Sequence, residues 1–221
     1  KSIEVELQMI IAKNLDTIFN QLNSCEADIV AANITVTKER SELVDFSSPF
    51  ILAHQVLVQR KPEGWENMTA KERDLKLIRN TVDLSGKNVF VRKGSSFYSR
   101  LKSLSEEIGE KINIIEAPGE VNTEQLISMV ANGQIEYTIA DENVALNNQT
   151  YFSNLDVETP ISFPQKIAWA IRKDSPELLK ALNDWIEKRK NSEENVALYA
   201  KYFKKKKSHG NGIGKYISHS G

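Results

Sequence analysis

The sequence predicts a mixed α/β protein of two similar lobes, and three observations carry that expectation. The first is an opening β-α-β pattern. Ile, Val, Leu and Met alternate with Glu and Gln over Ile3–Ile11, an amphipathic stretch follows at Leu15–Asn23, and a short apolar run closes it at Asp28–Ala32. The second is a recurrence of helix, turn and strand about 109 residues later, at Thr123–Ala131, Asn132-Gly133 and Tyr137–Ala140. The third is size: 221 residues, 40% of them hydrophobic, suit one large or two small globular cores.

Each element has its local signal. Asn14 is placed to cap the helix Leu15–Asn23, whose Leu15, Ile18, Phe19 and Leu22 share one face. Cys25, the only cysteine, falls just past that helix, where glycine is common, and a lone cysteine makes neither an intrachain disulfide nor a cysteine-based zinc site. Thr37 can cap a short helix with Arg40 in its first turn. Val56–Val58 and Val89–Val91 read as strands, with a turn at Asp83–Asn88 leading into the second. The charged stretch 62–80 reads as a surface helical insertion anchored by Trp65, Met68, Leu75, Leu77 and Ile78. Ile167–Ile171 is strand-like, and Ser175, Pro176 and Glu177 supply a cap, a first-turn proline and an acid for a helix reaching about Lys190. Trp169 and Trp185 are expected in the core. A last helix is expected over Ser192 to about Phe203, followed at 204–221 by a flexible basic linker spanning roughly 23 Å as a coil.

Charge narrows the function classes. The formal net charge is −1, and 204–221 hold five lysines and no acid, which leaves −6 on the preceding residues. An acidic body argues against nucleic acid as a partner. No apolar run is long enough to span a membrane, and the first residues lack a signal-peptide pattern. His54, His209 and His219 do not form a metal set, since two lie in the tail, and no cofactor motif is present.

The informative stretch is Ala31–Arg40 followed by Val44–Phe50. A cation in the first turn of a helix opposes the helix dipole, so Arg40 is expected to answer to an anion, and a guanidinium fork with nearby hydroxyls suits a carboxylate. An ordinary surface pairing with Glu39 or Glu42 is the alternative. Gly94-Ser95-Ser96, between a strand and a helix, forms a second anion-binding turn, for which simple capping is the alternative. Asp141 ends a strand, where ligands of open α/β sheets gather, and can equally cap the helix Glu142–Leu146.

These stretches resemble the family 3 extracellular solute-binding proteins, which hold amino acids between two lobes. The resemblance implies a type II periplasmic binding protein fold, with lobe 1 formed by 1–58 and 164–203, lobe 2 by 59–163, and a hinge crossed twice, near His54–Val58 and Pro164–Lys166. It implies that Asn33, Thr35 and Arg40 hold the ligand's α-carboxylate, that Gly94, Ser95 and Ser96 close over it, and that Asp141 faces the amine. The family opens with a strand and helix before the segment at Ile3, and this sequence has no counterpart to them. Gly94–Tyr98, Ile115–Pro118, Pro160–Arg172 and the insertion after Pro62 further resemble regulatory domains found in membrane-bound lytic murein transglycosylases. That resemblance spans roughly Ile3 to Phe203 and implies a C-terminal transglycosylase domain as partner, reached through the linker.

The reading that follows is a non-catalytic periplasmic sensor for a cell-wall peptide or amino acid, anchored at the outer membrane in the full-length protein. The alternative is the amino-acid-binding protein of an ABC transporter. A third reading borrows the dehydratases that share this fold, and would require Asp141, Glu142 or Glu116 as general acid.

Overall fold

The structure is a computed structural model that describes residues 7–12, 14, 15, 17–190 and 192. In chain order the elements are α1 (Ile18–Asn23), β1 (Ile29–Thr35), α2 (Lys38–Leu43), β2 (Asp45–Phe46), β3 (Ile51–Ala53) and β4 (Gln55–Arg60). After 3-10 turns and the short α3 (Ala70–Asp74) come β5 (Asn88–Val91), α4 (Ser96–Ile108), β6 (Asn113–Glu116), α5 (Thr123–Ala131) and β7 (Tyr137–Asp141). The last are α6 (Glu142–Gln149), β8 (Leu155–Pro160), β9 (Gln165–Ile171) and α7 (Pro176–Lys190).

Two sheets organise these elements. In the four-stranded sheet β9 is central and antiparallel to all its neighbours, with β1 on one side and β2 and β3 on the other. The five-stranded sheet runs β6-β5-β7-β4-β8, with β5 parallel to β6 and β7, and β4 antiparallel to β7 and β8. β4 is buried on both faces from Gln55 to Gln59, which is why Val56-Leu57-Val58 reads as an unbroken apolar run. The chain passes between the sheets at His54 and again at 161–164. These two crossings are joined: His54 Nδ1 lies 2.9 Å from the Ser162 carbonyl, and Gln55 N donates to Ser162 Oγ at 2.9 Å. β4 pairs only within the five-stranded sheet, so Gln55–Val58 stand on the far side of the crossing from the lobe to which the sequence reading assigned them.

Each sheet has its own core. Ile18, Phe19 and Leu22 of α1 pack with Ile34, Val44 and Ala170. Leu182 and Ile186 of α7 pack on Ile171, beside Trp169 and Trp185, whose rings stack 5.8 Å apart. On the five-stranded sheet, Leu126, Ile127 and Val130 of α5 cover one face, while Phe97, Leu101 and Leu104 of α4 cover the other. The recurrence seen in the sequence is a shared device. α1 and α5 both end in a Schellman motif, with Glu26 N bonded to Gln21 O and Cys25 N to Leu22 O, and with Gln134 N bonded to Met129 O and Gly133 N to Val130 O. Cys25 takes the left-handed position, φ 62°, that Gly133 fills at φ 77°.

Several expectations are corrected. Within the predicted strand Ile3–Ile11, the described residues Leu7–Ile11 form no strand and stand exposed, Leu7 at 82% and Ile11 at 89%, because no described strand supplies a ladder for them. Helix α1 starts at Ile18 rather than Leu15, and Asn14 does not cap it; Thr17 holds the cap position, with its own hydroxyl donated to the Asn14 carbonyl. The insertion 62–80 contains only a 3-10 turn and α3, and Leu75 is 79% exposed rather than an anchor. Helix α3 is capped by a Thr69–Glu72 capping box, and the segment is pinned to the sheet by Gln59 and Arg79, the latter 2.6 Å from buried Asp156. The helix expected beyond Ser192 and the linker 204–221 lie outside the described residues. Among the described residues no helix is long and apolar enough to cross a membrane, and no group of three or more His, Cys, Asp or Glu is placed to hold a metal.

Candidate ligand-binding cleft

β1 ends at Thr35 and hands over through Thr37 to α2, where Thr37 Oγ1 accepts from Arg40 N at 3.3 Å. This cap sets the direction of the first turn and turns Arg40 back over the strand end. Its guanidinium is buried, donates from Nη1 to the Thr35 carbonyl at 2.9 Å and from Nη2 to the Gly94 carbonyl at 3.1 Å, and lies 5.6 Å from the Phe19 ring centre. No ion pair joins it to Glu39 or Glu42 among the described residues. Burial lowers its pKa and the field of Asp141 pulls it back up. The cation is therefore met by carbonyl dipoles, a ring face and one nearby acid.

The facing wall is the turn after β5. Gly94 takes φ 72°, a left-handed conformation that an L side chain resists. Ser95 occupies the cap position of α4 but makes no capping bond, because its hydroxyl donates to the Arg92 carbonyl at 2.6 Å. Ser96 Oγ donates to Thr35 Oγ1 at 3.1 Å and accepts from Gln55 Nε2 at 3.0 Å. Two hydrogen bonds thus bridge the halves, Arg40 to Gly94 and Ser96 to Thr35.

Asp141 closes the third side. It stands at the cap position of α6 without a side-chain capping bond, and its Oδ1 is buried with no hydrogen-bond partner. Burial raises its pKa to about 6, against an opposing pull from Arg40. A buried acceptor left unsatisfied costs stability.

These walls enclose two adjoining cavities. The smaller, about 230 Å³, is lined by Asn33, Thr35, Arg40, Ser95, Ser96 and Asp141, six of the seven residues singled out in the sequence. The larger, about 500 Å³, shares Thr35, Arg40, Ser95 and Ser96 with it and adds Gly94, the seventh. Sequence reading missed Gln55, which holds Ser96, and Arg92 and Thr123, which line the smaller cavity. A glutamine opening the apolar run of β4 and an arginine ending the apolar run of β5 were the available signals.

A cleft between two sheet-bearing halves, with an arginine at a strand end, a serine turn opposite and a buried acid between them, defines a two-lobed small-molecule-binding domain. The chain belongs to the bacterial extracellular solute-binding proteins, family 3, which it matches over residues 1–205. It is 29% identical over 188 residues to a membrane-bound lytic murein transglycosylase F of Desulfosudis oleivorans, covering 85% of this chain and 38% of that protein. It is 31% identical over 174 residues to the protein of that name from Saccharophagus degradans, covering 77% of this chain and 31% of that one. The chain thus spans about a third of the length of these curated relatives. Among solved structures, an ancestral arginine-binding protein bound to arginine superposes with a TM-score of 0.67 at 26% identity, covering 86% of this chain and 77% of that one. The substrate-binding protein AbpA of an amino acid ABC transporter from Streptococcus pneumoniae, bound to L-arginine, gives 0.69 at 25% identity, with 91% and 77% covered. These structures have the type II periplasmic binding protein fold, and this chain shares it.

Proposed function

We propose that this chain is a periplasmic sensor domain that binds an amino acid or a cell-wall-derived peptide and regulates a lytic transglycosylase domain of the same polypeptide, without catalysing a reaction itself. The observation that carries the reading is the convergence of Arg40 and the partnerless Asp141 on one cavity, the charge pattern of a ligand's carboxylate and amine. Kinship with transglycosylase F proteins supports the regulatory part, and in that setting the full-length protein is anchored at the outer membrane. Lobe 1 comprises the four-stranded sheet with α1, α2 and α7, lobe 2 the five-stranded sheet, and ligand binding shifts the lobes toward closure about His54 and 161–164. Calorimetry with amino acids and muropeptides tests this. Saturable heat, lost in Arg40→Gln, is expected; the absence of heat from every ligand would sink the reading.

The second reading is an amino-acid-binding protein serving a permease, favoured by the likeness to AbpA, itself from an amino acid ABC transporter. The gene sequence downstream of residue 221 separates the two, since an immediate stop codon supports transport and a continuing transglycosylase domain supports sensing.

A further inference from the structure

We propose that Arg92 is a second anion anchor in the cleft, and that the ligand is an α-amino acid whose side chain ends in a carboxylate. This rests on the reading of the cleft as an amino-acid site and names its substrate class. Arg92 follows directly on β5, at the carboxyl end of the strand, and lines the smaller cavity together with Arg40 and Asp141. Its main chain is held by the serine turn, since its carbonyl accepts from both Ser95 N and Ser95 Oγ. Its Nε is buried and has no hydrogen-bond partner, and no described residue makes an ion pair or side-chain hydrogen bond with its guanidinium.

The two arginines of the cavity therefore stand in different states. Arg40 is satisfied by the Thr35 and Gly94 carbonyls and tracked by Asp141. Arg92 is half-buried, and its planar guanidinium carries a buried Nε that no protein group receives. Two acids share the cavity lining, Asp141 and Glu124. Glu124 is exposed in the first turn of α5 and makes no ion pair with Arg92; Asp141, deeply buried, makes none either. A ligand whose α-carboxylate replaces the Gly94 carbonyl on Arg40, whose amine meets Asp141 and whose second carboxylate meets Arg92 engages all three. A neutral side chain leaves Arg92 as it is, and a cationic one meets it with like charge. The cavity, about 230 Å³, lies just below the range of pockets for drug-sized ligands and suits one amino acid.

The test is calorimetry of the purified chain with L-glutamate, L-glutamine, L-alanine and L-arginine, repeated on Arg92→Gln and Arg92→Lys. Glutamate is expected to bind at least about tenfold more tightly than glutamine, the worth of one hydrogen bond to a charged group. Arg92→Gln is expected to erase that preference, with the urea unfolding midpoint of the ligand-free variant serving as the check that the fold is intact; Arg92→Lys retains part of the preference. Equal binding of glutamate and glutamine, a preference for arginine, or a glutamate preference that survives Arg92→Gln overturns the inference and leaves the amino-acid site standing. Binding of none of the four overturns the inference, and heat from muropeptides or other amino acids then decides the reading of the cleft.

Discussion

Asp141 shows what burial without a hydrogen-bond partner costs a carboxyl. Its carboxyl is raised by burial from 3.8 to about 6, with Arg40 opposing. The folded state therefore holds the proton more tightly than the unfolded state does. Ionised Asp141 lowers stability fully above about pH 6, and the penalty fades as pH falls toward 4. At 1.36 kcal/mol per unit the penalty is on the order of 3 kcal/mol at neutral pH. Asp141→Asn is expected to raise the unfolding free energy by up to about that amount in urea at pH 7, and by well under 1 kcal/mol near pH 4. The same substitution removes the negative charge offered to a ligand amine and replaces one acceptor oxygen by an NH2 donor, so stability is expected to rise while affinity falls. Amine recognition by the unaltered protein is expected to weaken as pH drops through about 6, as calorimetry across that range will read. Arg40 and Asp141 were legible in the sequence from a strand end and a helix start. Arg92 was not, because an arginine at a strand end looks the same whether or not a partner reaches it.

At the scale of elements, Cys25 and Gly133 occupy equivalent positions of two Schellman motifs. Counting from them aligns Ile29 with Tyr137, the first residues of β1 and β7, and Asn33 with Asp141. The sequence alone placed the repeat one residue out, because it matched Asn132-Gly133 to Asn23-Ser24, and a cysteine in a left-handed position carries no glycine signal. That conformation costs a residue with a Cβ about 1–2 kcal/mol, offset in part by the greater freedom of glycine in the unfolded chain. Cys25→Gly is expected to raise stability by about 0.5–1 kcal/mol, seen as a small upward shift of the urea midpoint at constant slope. Elements with a periodic pattern and start or stop signals, such as α5 and α7, stand where sequence reasoning put them. The segment Leu7–Ile11 does not, since strand formation depends on a neighbour that periodicity cannot report.

For the whole molecule, the division into two lobes was legible from the repeat and the paired crossings were implied by the family resemblance, while the side of the crossing on which Gln55–Val58 fall was not legible, because an apolar run fits either sheet. Ligand bound across the cleft stabilises both halves together. At a hundred times its dissociation constant it adds about 2.7 kcal/mol, so the melting temperature is expected to rise by roughly 5–10 °C in a chain of this size. A shift confined to one of two resolved transitions would contradict binding by both halves. The bridge from Arg40 to the Gly94 carbonyl adds a kinetic consequence. On the proposed reading of the cleft, that carbonyl takes the Arg40 donor meant for a ligand oxygen and acts as an internal competitor present at fixed effective concentration. Ligand must wait for it to let go, so the observed association rate climbs with ligand concentration only up to the rate at which this contact opens. The apparent affinity is divided by the fraction of molecules already open, and loosening the bridge tightens binding without touching the ligand.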